Sequence, residues 1–269
     1  MRGFYSAGIL RGLLDNGVTF PFVAGVSSGA LAATAFVAGR LDFDFGRLAE
    51  AVGGFANPRG LVRPREGLLR TDALVDFFLD GCHGAVMASA SSLNVPATCA
   101  ATGELVWWDR RDFAAGPHAL RERVVASASI PVVMPEARVG GAVFADGGIR
   151  DSIPIDRAEA AGYTRHVLLL TRPRGYVKGR QHLELYLRRW LRPYPALKRA
   201  MLLRHVHYNE SARRAERLED EGRAFVFRLS DAPLGRFEYA PEKFAASFEA
   251  GRRSCEERLG ELRTWLVRG

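Results

Sequence analysis

No cationic leader with an apolar core opens this sequence, and no uninterrupted apolar run approaches the roughly 18 residues needed to span a bilayer. The expected setting is therefore cytoplasmic, either soluble or peripheral to a membrane. Cysteine is scarce. Cys82, Cys99 and Cys255 are odd in number, widely separated and without CxxC spacing, which argues against a disulfide framework or a zinc site and predicts reduced, packing thiols. Internal repeats, low-complexity segments and an obvious domain linker are also missing, so one domain spanning 1–269 is expected.

What is present is a chain that can bury a substantial core, with 269 residues that are 48% hydrophobic. Its formal charge is +8, carried mainly by arginine, which favours anionic partners such as phospholipid surfaces or acidic ligands. A GC-rich coding sequence produces the same arginine excess. No nucleic-acid recognition motif accompanies the charge, so nucleic acid is not expected as a partner.

The most informative stretch is Gly25-Val26-Ser27-Ser28-Gly29. It follows an apolar run, Phe20 to Ala24, that reads as a buried strand, and precedes Ala30 to Ala38, which reads as a helix ending at Gly39. A serine between strand and helix, with glycine two residues to either side, has the layout of a nucleophile elbow. Side chains at positions 25 and 29 are expected to collide with the neighbouring element, and Ala30, Ala32 and Ala33 keep that packing tight. The plain alternative is a strand-to-helix loop carrying a solvated serine.

Along the rest of the chain, helical spacing predicts helices over 5–16, 42–52, 71–79 (with Thr71 as cap), 119–128 and 156–161, and a last one from Pro241 to Val267. Asn94 to Asp109 reads as a hairpin, and Val143-Phe144-Ala145, His166 to Thr171 and Ala224 to Leu229 read as strands. Helices and strands thus alternate as an α/β sheet requires. Leu183 to Asp220 reads as helical with interruptions at Pro193 and Pro195, and the region from about residue 176 differs in character from what precedes it. Within it, Tyr186, Trp190 and Tyr194 interleave with Arg188, Arg189, Arg192, Lys198, Arg199 and Arg204. That pattern suits a segment resting on anionic lipid, and suits somewhat better a helix pair whose apolar side packs on the sheet while its arginines are solvated.

A serine hydroxyl needs a base to act as a nucleophile at neutral pH. The histidines are His83, His118, His166, His182, His205 and His207, none in a glycine-rich or turn context, so each reads more readily as a surface or packing residue. Asp146 ends a short strand and is followed by Gly147 and Gly148, which lets its carboxylate project from a tight loop. A histidine triad and a direct carboxylate base both remain open on residue types alone.

Gly25-Val26-Ser27-Ser28-Gly29, taken with Asp146-Gly147-Gly148 located 119 residues beyond the serine, resembles the patatin-like phospholipase family, with its G-x-S-x-G elbow and D-G-[GA] aspartate. Further likeness runs through Arg2 to Leu10, Ser127-Ala128-Ser129-Ile130-Pro131, and Leu170 to Tyr176, so that about residues 1 to 175 are covered well. The resemblance implies a three-layer α/β sandwich with a central, mainly parallel sheet. It also implies hydrolysis of lipid acyl esters by a Ser-Asp dyad without metal or cofactor. By motif position Ser27 is the nucleophile, Asp146 the base, and the amide of Ser28 an oxyanion donor. Family members carry a G-G-G-x-R-G segment after a first strand, and here Arg2-Gly3 matches its tail, with Gly3 the one oxyanion glycine in register. The expectation is that the motif continues upstream of Met1. A chain lacking it is expected to leave a sheet position beside the elbow unfilled, and to be a non-catalytic, lipid- or partner-binding member, since one lost oxyanion donor costs about a hundred- to a thousandfold in rate.

Overall fold

The structure is a computed structural model, and it describes residues 3–52, 56–61, 63–69, 72–180, 191–229 and 241–268. The chain begins with helix α1 (Gly3–Asp15), turns at Asn16-Gly17, and forms strand β1 (Phe22–Ala24) and helix α2 (Ser28–Val37). Next come α3 (Phe45–Val52), α4 (Asp72–Leu79) and α5 (Cys82–Ala88). Asp44 sets the start of α3, because its carboxylate accepts from the amides of Gly46 and Arg47 at 2.9 and 3.3 Å. Thr71, the cap expected for α4, lies outside the described residues.

The hairpin expected over 94–109 is formed by β2 (Ser92–Cys99) and β3 (Leu105–Trp108), paired antiparallel. Helices α6 (Arg110–Phe113) and α7 (Pro117–Ala128) follow, then a second hairpin of β4 (Ala137–Val139) and β5 (Ala142–Asp146). After α8 (Ile155–Ala160) and β6 (His166–Leu170) come α9 (Pro195–Asp220), β7 (Ala224–Arg228) and α10 (Pro241–Val267). Pro195 does not interrupt a helix. It occupies the first turn of α9, where its missing N–H would have had no intrahelical acceptor.

The result is an α/β fold whose mixed sheet is flanked by helices. Its principal sheet has the order β1-β2-β5-β4, with β3 also on β2. β1 pairs parallel with β2, while β2/β3, β2/β5 and β4/β5 are antiparallel. β6 and β7 form a separate parallel pair. β2 is the common neighbour that matters for the site, with Ala24 opposite Asn94 on one side and Asp146 opposite Ala97 on the other. Two strand ends distant in sequence are thereby brought together.

Among the described residues, the edge of β1 away from β2 and the edge of β6 away from β7 carry no strand. An apolar groove of about 340 Å³ lies between them, walled by residues that include Leu10, Leu13, Ala33, Phe36 and Ile153.

The core joins both ends of the chain. Phe4 of α1 stacks on Phe244 of α10 with ring centroids 4.9 Å apart, and Phe43, Phe45, Phe78 and Phe248 complete an aromatic cluster around them. Gly8 lets the two helices meet, because a Cβ there would overlap the backbone carbonyl of Phe248. Tyr5 donates its hydroxyl hydrogen bond to the carbonyl of Arg228 at 3.0 Å, tying α1 to β7 as well. No helix among the described residues is long and apolar enough to cross a membrane.

Candidate active site

The turn after β1 is held before it is strained. The amide of Gly25 donates to the carbonyl of Asn94 at 3.1 Å, carrying the β1/β2 pairing one residue past the strand. Ser27 then takes φ 58° and ψ −126°, a conformation that a residue with a Cβ rarely adopts, at a cost on the order of 1–3 kcal/mol. Two contacts hold it there. The amide of Ser27 donates to Ser127 Oγ at 3.2 Å, and the carbonyl of Ser27 accepts from Ala30 at 2.9 Å as α2 begins.

The flanking glycines are not equivalent. A Cβ at Gly25 would meet the carbonyl oxygen of Gly29 and lie 2.6 Å from the Cβ of Ala33, so close strand-to-helix approach requires glycine there. At Gly29 no atom lies within 4 Å of a built Cβ, which corrects the expectation of a collision on that side. The reason is geometric: Gly29 already belongs to the first turn of α2, and its Cα–H faces open space instead of β1.

Asp146 reaches the same point from β5. Its amide donates to the carbonyl of Ser129 at 2.8 Å, and its carbonyl accepts from Thr98 Oγ1 at 3.0 Å, so its backbone is fixed on both sides. Gly147 passes so near β2 that a Cβ would lie 2.5 Å from the carbonyl oxygen of Pro96. The carboxylate, only 1% exposed, divides its oxygens. Oδ1 accepts from the amide of Gly148 at 2.7 Å, and Oδ2 accepts from the hydroxyl of Ser27 at 2.7 Å. Ser27 is half-buried, so its hydroxyl can meet a substrate while its partner is shielded.

Ser28 is exposed and opens α2, and its amide, in the first helical turn, has no intrahelical acceptor. Gly3, at the start of α1, abuts it: a Cβ on Gly3 would lie 2.9 Å from the Cβ of Ser28. The N-terminal ends of α1 and α2, each carrying partial positive charge, therefore converge beside Ser27. Met1 and Arg2 lie outside the described residues.

The histidines are engaged elsewhere. His83 contacts the carbonyl of Phe113, His118 pairs with Glu122, His205 contacts the carbonyl of Leu202, and His207 contacts Arg150, while His182 lies outside the described residues. His166 is buried on β6, 3.8 Å from Glu159. Burial pushes its pKa below the ordinary value, with Arg223 and Arg214 adding to that and Glu159 opposing it. Among the described residues no histidine is hydrogen-bonded to Ser27, and no group of three or more His, Cys, Asp or Glu side chains is placed to hold a metal ion.

Sequence reasoning did not assign a role to Ser127 and Ser129. They lie at the end of α7, where the Ser127 hydroxyl receives the amide of Ser27 and the Ser129 carbonyl receives the amide of Asp146. The Ser-Ala-Ser-Ile-Pro stretch was visible as a resemblance, but its function as a brace is visible only in three dimensions. Of the interfacial segment, residues 181–190 lie outside the description. The beginning of α9 packs Leu197 and Ala200, with Leu191 before it, against Ala145 and Ile149, whereas Leu203 and Val206 are 47% and 38% exposed.

Known proteins resemble this chain over two regions. A family model described as patatin-like phospholipase matches residues 1–159, and one described as a domain of unknown function (DUF6363) matches 194–267. Uncharacterized NTE family proteins of Mycobacterium bovis and Mycobacterium tuberculosis are 32% identical over 164 residues, which is 57% of this chain. The chain spans 41% of the length of these curated relatives. The crystal structure of VipD from Legionella pneumophila aligns with a TM-score of 0.47 at 13% identity, covering 97% of this chain and 65% of that one.

Proposed function

The chain belongs to the patatin-like phospholipase family, and on that premise we propose that it is a serine hydrolase that cleaves fatty-acyl esters of lipids, phospholipids among them, through an acyl-enzyme. The observation that carries the reading is the 2.7 Å hydrogen bond from Ser27 Oγ to Asp146 Oδ2. In this mechanism Asp146 takes the Ser27 proton as Oγ attacks the ester carbonyl, and returns it to the departing alcohol. Water then enters, Asp146 accepts its proton, and the hydroxide releases the fatty acid as Asp146 returns that proton to the departing Ser27 Oγ. The amide of Ser28 serves the oxyanion, with Gly3 supporting the turn that presents it. Gly147 and Gly148 let the aspartate loop lie against β2, and the Gly148 amide fixes the carboxylate.

The same reading treats the two matched regions as one folding unit, supported by the packing of α1 on α10 through Phe4, Gly8 and Phe244. Peripheral contact with anionic membrane is supported by Leu203 and Val206, which stand exposed on the arginine-bearing face of α9. A fluorophosphonate probe is expected to label the protein. Ser27→Ala should abolish labelling, Asp146→Asn should remove ester turnover, and single His→Ala changes should leave most of it. Labelling that survives Ser27→Ala refutes the nucleophile. A native chain that binds anionic vesicles yet neither labels nor hydrolyses any ester would be the non-catalytic member instead.

A further inference from the structure

We infer that Arg150, Arg204 and His207 form a phosphate-binding subsite beside the aspartate loop, so that the ester preferred is one carrying a phosphate on the same glycerol. The inference deepens the reading of Ser27 as nucleophile and rests on it for the catalytic part.

Arg204 and His207 are three residues apart on α9 and share one face of the helix. Arg204 Nε donates to the carbonyl of Gly148 at 2.9 Å. The amide of the same Gly148 holds the Asp146 carboxylate at 2.7 Å, so the guanidinium binds the residue that positions the base. Arg150, at the end of the same loop, donates from Nη1 to His207 Nε2 at 2.8 Å. A guanidinium can only donate, which makes His207 Nε2 the acceptor and puts the ring proton on Nδ1, facing Glu210 at 3.8 Å. Burial, and then the Arg150 charge, hold the His207 pKa below its ordinary value, so the ring is a neutral acceptor at neutral pH and does not add a third charge.

Each guanidinium has five N–H donors, and one is engaged in each case. Among the described residues neither Arg150 nor Arg204 forms an ion pair. Asp146 is occupied by Ser27 and Gly148, Glu210 faces the far nitrogen of His207, and the carboxylate of Asp151 accepts from the amide of Ile153. Two like charges on one loop and one helix face, with unspent donors and no counter-charge, gain most from an anion that receives several N–H groups at once. A phosphate fits this demand better than a carboxylate, having more acceptor oxygens and more charge. In a glycerol phosphate ester the phosphate lies only a few bonds from each acyl carbonyl, matching the closeness of Arg204 to the Ser27–Asp146 pair.

The test compares a 1-acylglycerol 3-phosphate with the monoacylglycerol of the same acyl chain, using the full chain, and measures stabilisation by glycerol 3-phosphate against glycerol by thermal unfolding. The native protein should prefer the phosphate ester by about tenfold or more in kcat/KM, a preference that shrinks as salt rises. Arg150→Gln, at an exposed position, should bring the ratio of the two substrates close to one through KM for the phosphate ester, and Arg150→Glu should invert it. Arg204→Gln should also lower the ratio, with partial recovery in Arg204→Lys. A native protein without the preference, or a preference that survives both Arg150→Gln and Arg204→Gln, overturns the inference while leaving the hydrolase reading intact. If no ester is cleaved, the hydrolase reading fails, and the subsite is judged by stabilisation alone. Stabilisation by glycerol 3-phosphate but not glycerol, lost in Arg150→Gln, supports it, and equal or absent stabilisation refutes it.

Discussion

Replacing each elbow glycine by alanine separates the two halves of the G-x-S-x-G pattern. In Gly25→Ala the new methyl would lie 2.6 Å from the Cβ of Ala33, where carbon atoms normally rest about 3.5–4.0 Å apart. Strand β1 and helix α2 must therefore separate by roughly 1 Å. Overpacking of this kind costs about 1–3 kcal/mol, and in a domain of this size each kcal/mol shifts the melting temperature by about 2–4 °C. Gly25→Ala should melt roughly 2–12 °C below the native protein. A shift of 1 Å at Ser27 also breaks its 2.7 Å bond to Asp146, and such misplacement costs on the order of a hundredfold in rate, readable as slower fluorophosphonate labelling. Gly29→Ala meets nothing within 4 Å and replaces a poor helix former by a good one inside α2, a gain of up to about 1 kcal/mol. Its melting temperature should stay at the native value or rise by up to about 4 °C. Thermal unfolding of the two variants side by side decides the matter. A Gly29→Ala protein destabilised as much as Gly25→Ala, or a Gly25→Ala protein with native stability, would refute the packing argument.

Ser127→Ala leaves the Ser27 amide without its 3.2 Å acceptor, which should cost about 1–3 kcal/mol of stability and slow probe labelling; unchanged labelling would mean that Ser127 does not hold the turn. Thiol reactivity should be ordered. Cys99 is expected to react first, because burial opposes ionisation but the hydrogen bonds from Thr102 and Ala101 outweigh it and lower its pKa, whereas burial pushes Cys82 and Cys255 up to about 11. Since the raised Cys255 pKa exceeds its ordinary 9.0, its contribution to stability is complete below pH 9 and is lost as pH rises through about 11, so alkaline titration should expose this thiol, like Cys82, only after Cys99. Deuterium exchange should distinguish the two edges of β6. The amide of His166 donates to Arg223, so by alternation Leu168 also faces β7 while Val167 and Leu169 face the groove, and these two should exchange at least about tenfold faster; equal protection would mean that the groove is filled.

The parts of this structure that could be read from sequence are those where one residue type satisfies one local demand. The elbow was legible because a strand, a small-residue helix and a glycine at position 25 have a single common explanation, and Asp146 because two glycines follow a short strand. Gly29 shows the limit, since the same residue type within the same pattern faces open space. The strand β4 was missed although Gly140-Gly141 forms the two-residue loop typical of a hairpin, because three residues give too little alternation to recognise. Helix α6 has a capping box between Asp109 and Asp112, but it abuts a strand and spans only Arg110 to Phe113. At Pro195 the signal was present and its sign was misread: proline breaks a helix interior but favours a first turn. The brace at Ser127 left no local signal at all, because its partner lies 100 residues away.

The apolar groove between β1 and β6 invites reading as the seat of the substrate's acyl chain, and the backbone argues against that. The amide of Gly25 and the carbonyl of Pro21 bond to β2, so by alternation the peptide groups of Phe22 and Ala24 turn toward the groove, opposite those of Val167 and Leu169 on β6. Each of these four residues presents one donor and one acceptor. Hydrocarbon laid along a stretch this short buries roughly eight methylene groups, worth about 6 kcal/mol at about 0.8 kcal/mol each. Stripping water from the four donors alone, at about 1–3 kcal/mol per unsatisfied group, cancels most or all of that gain before the carbonyls are counted. The groove therefore favours an occupant that forms backbone-like hydrogen bonds, or water, over an acyl chain.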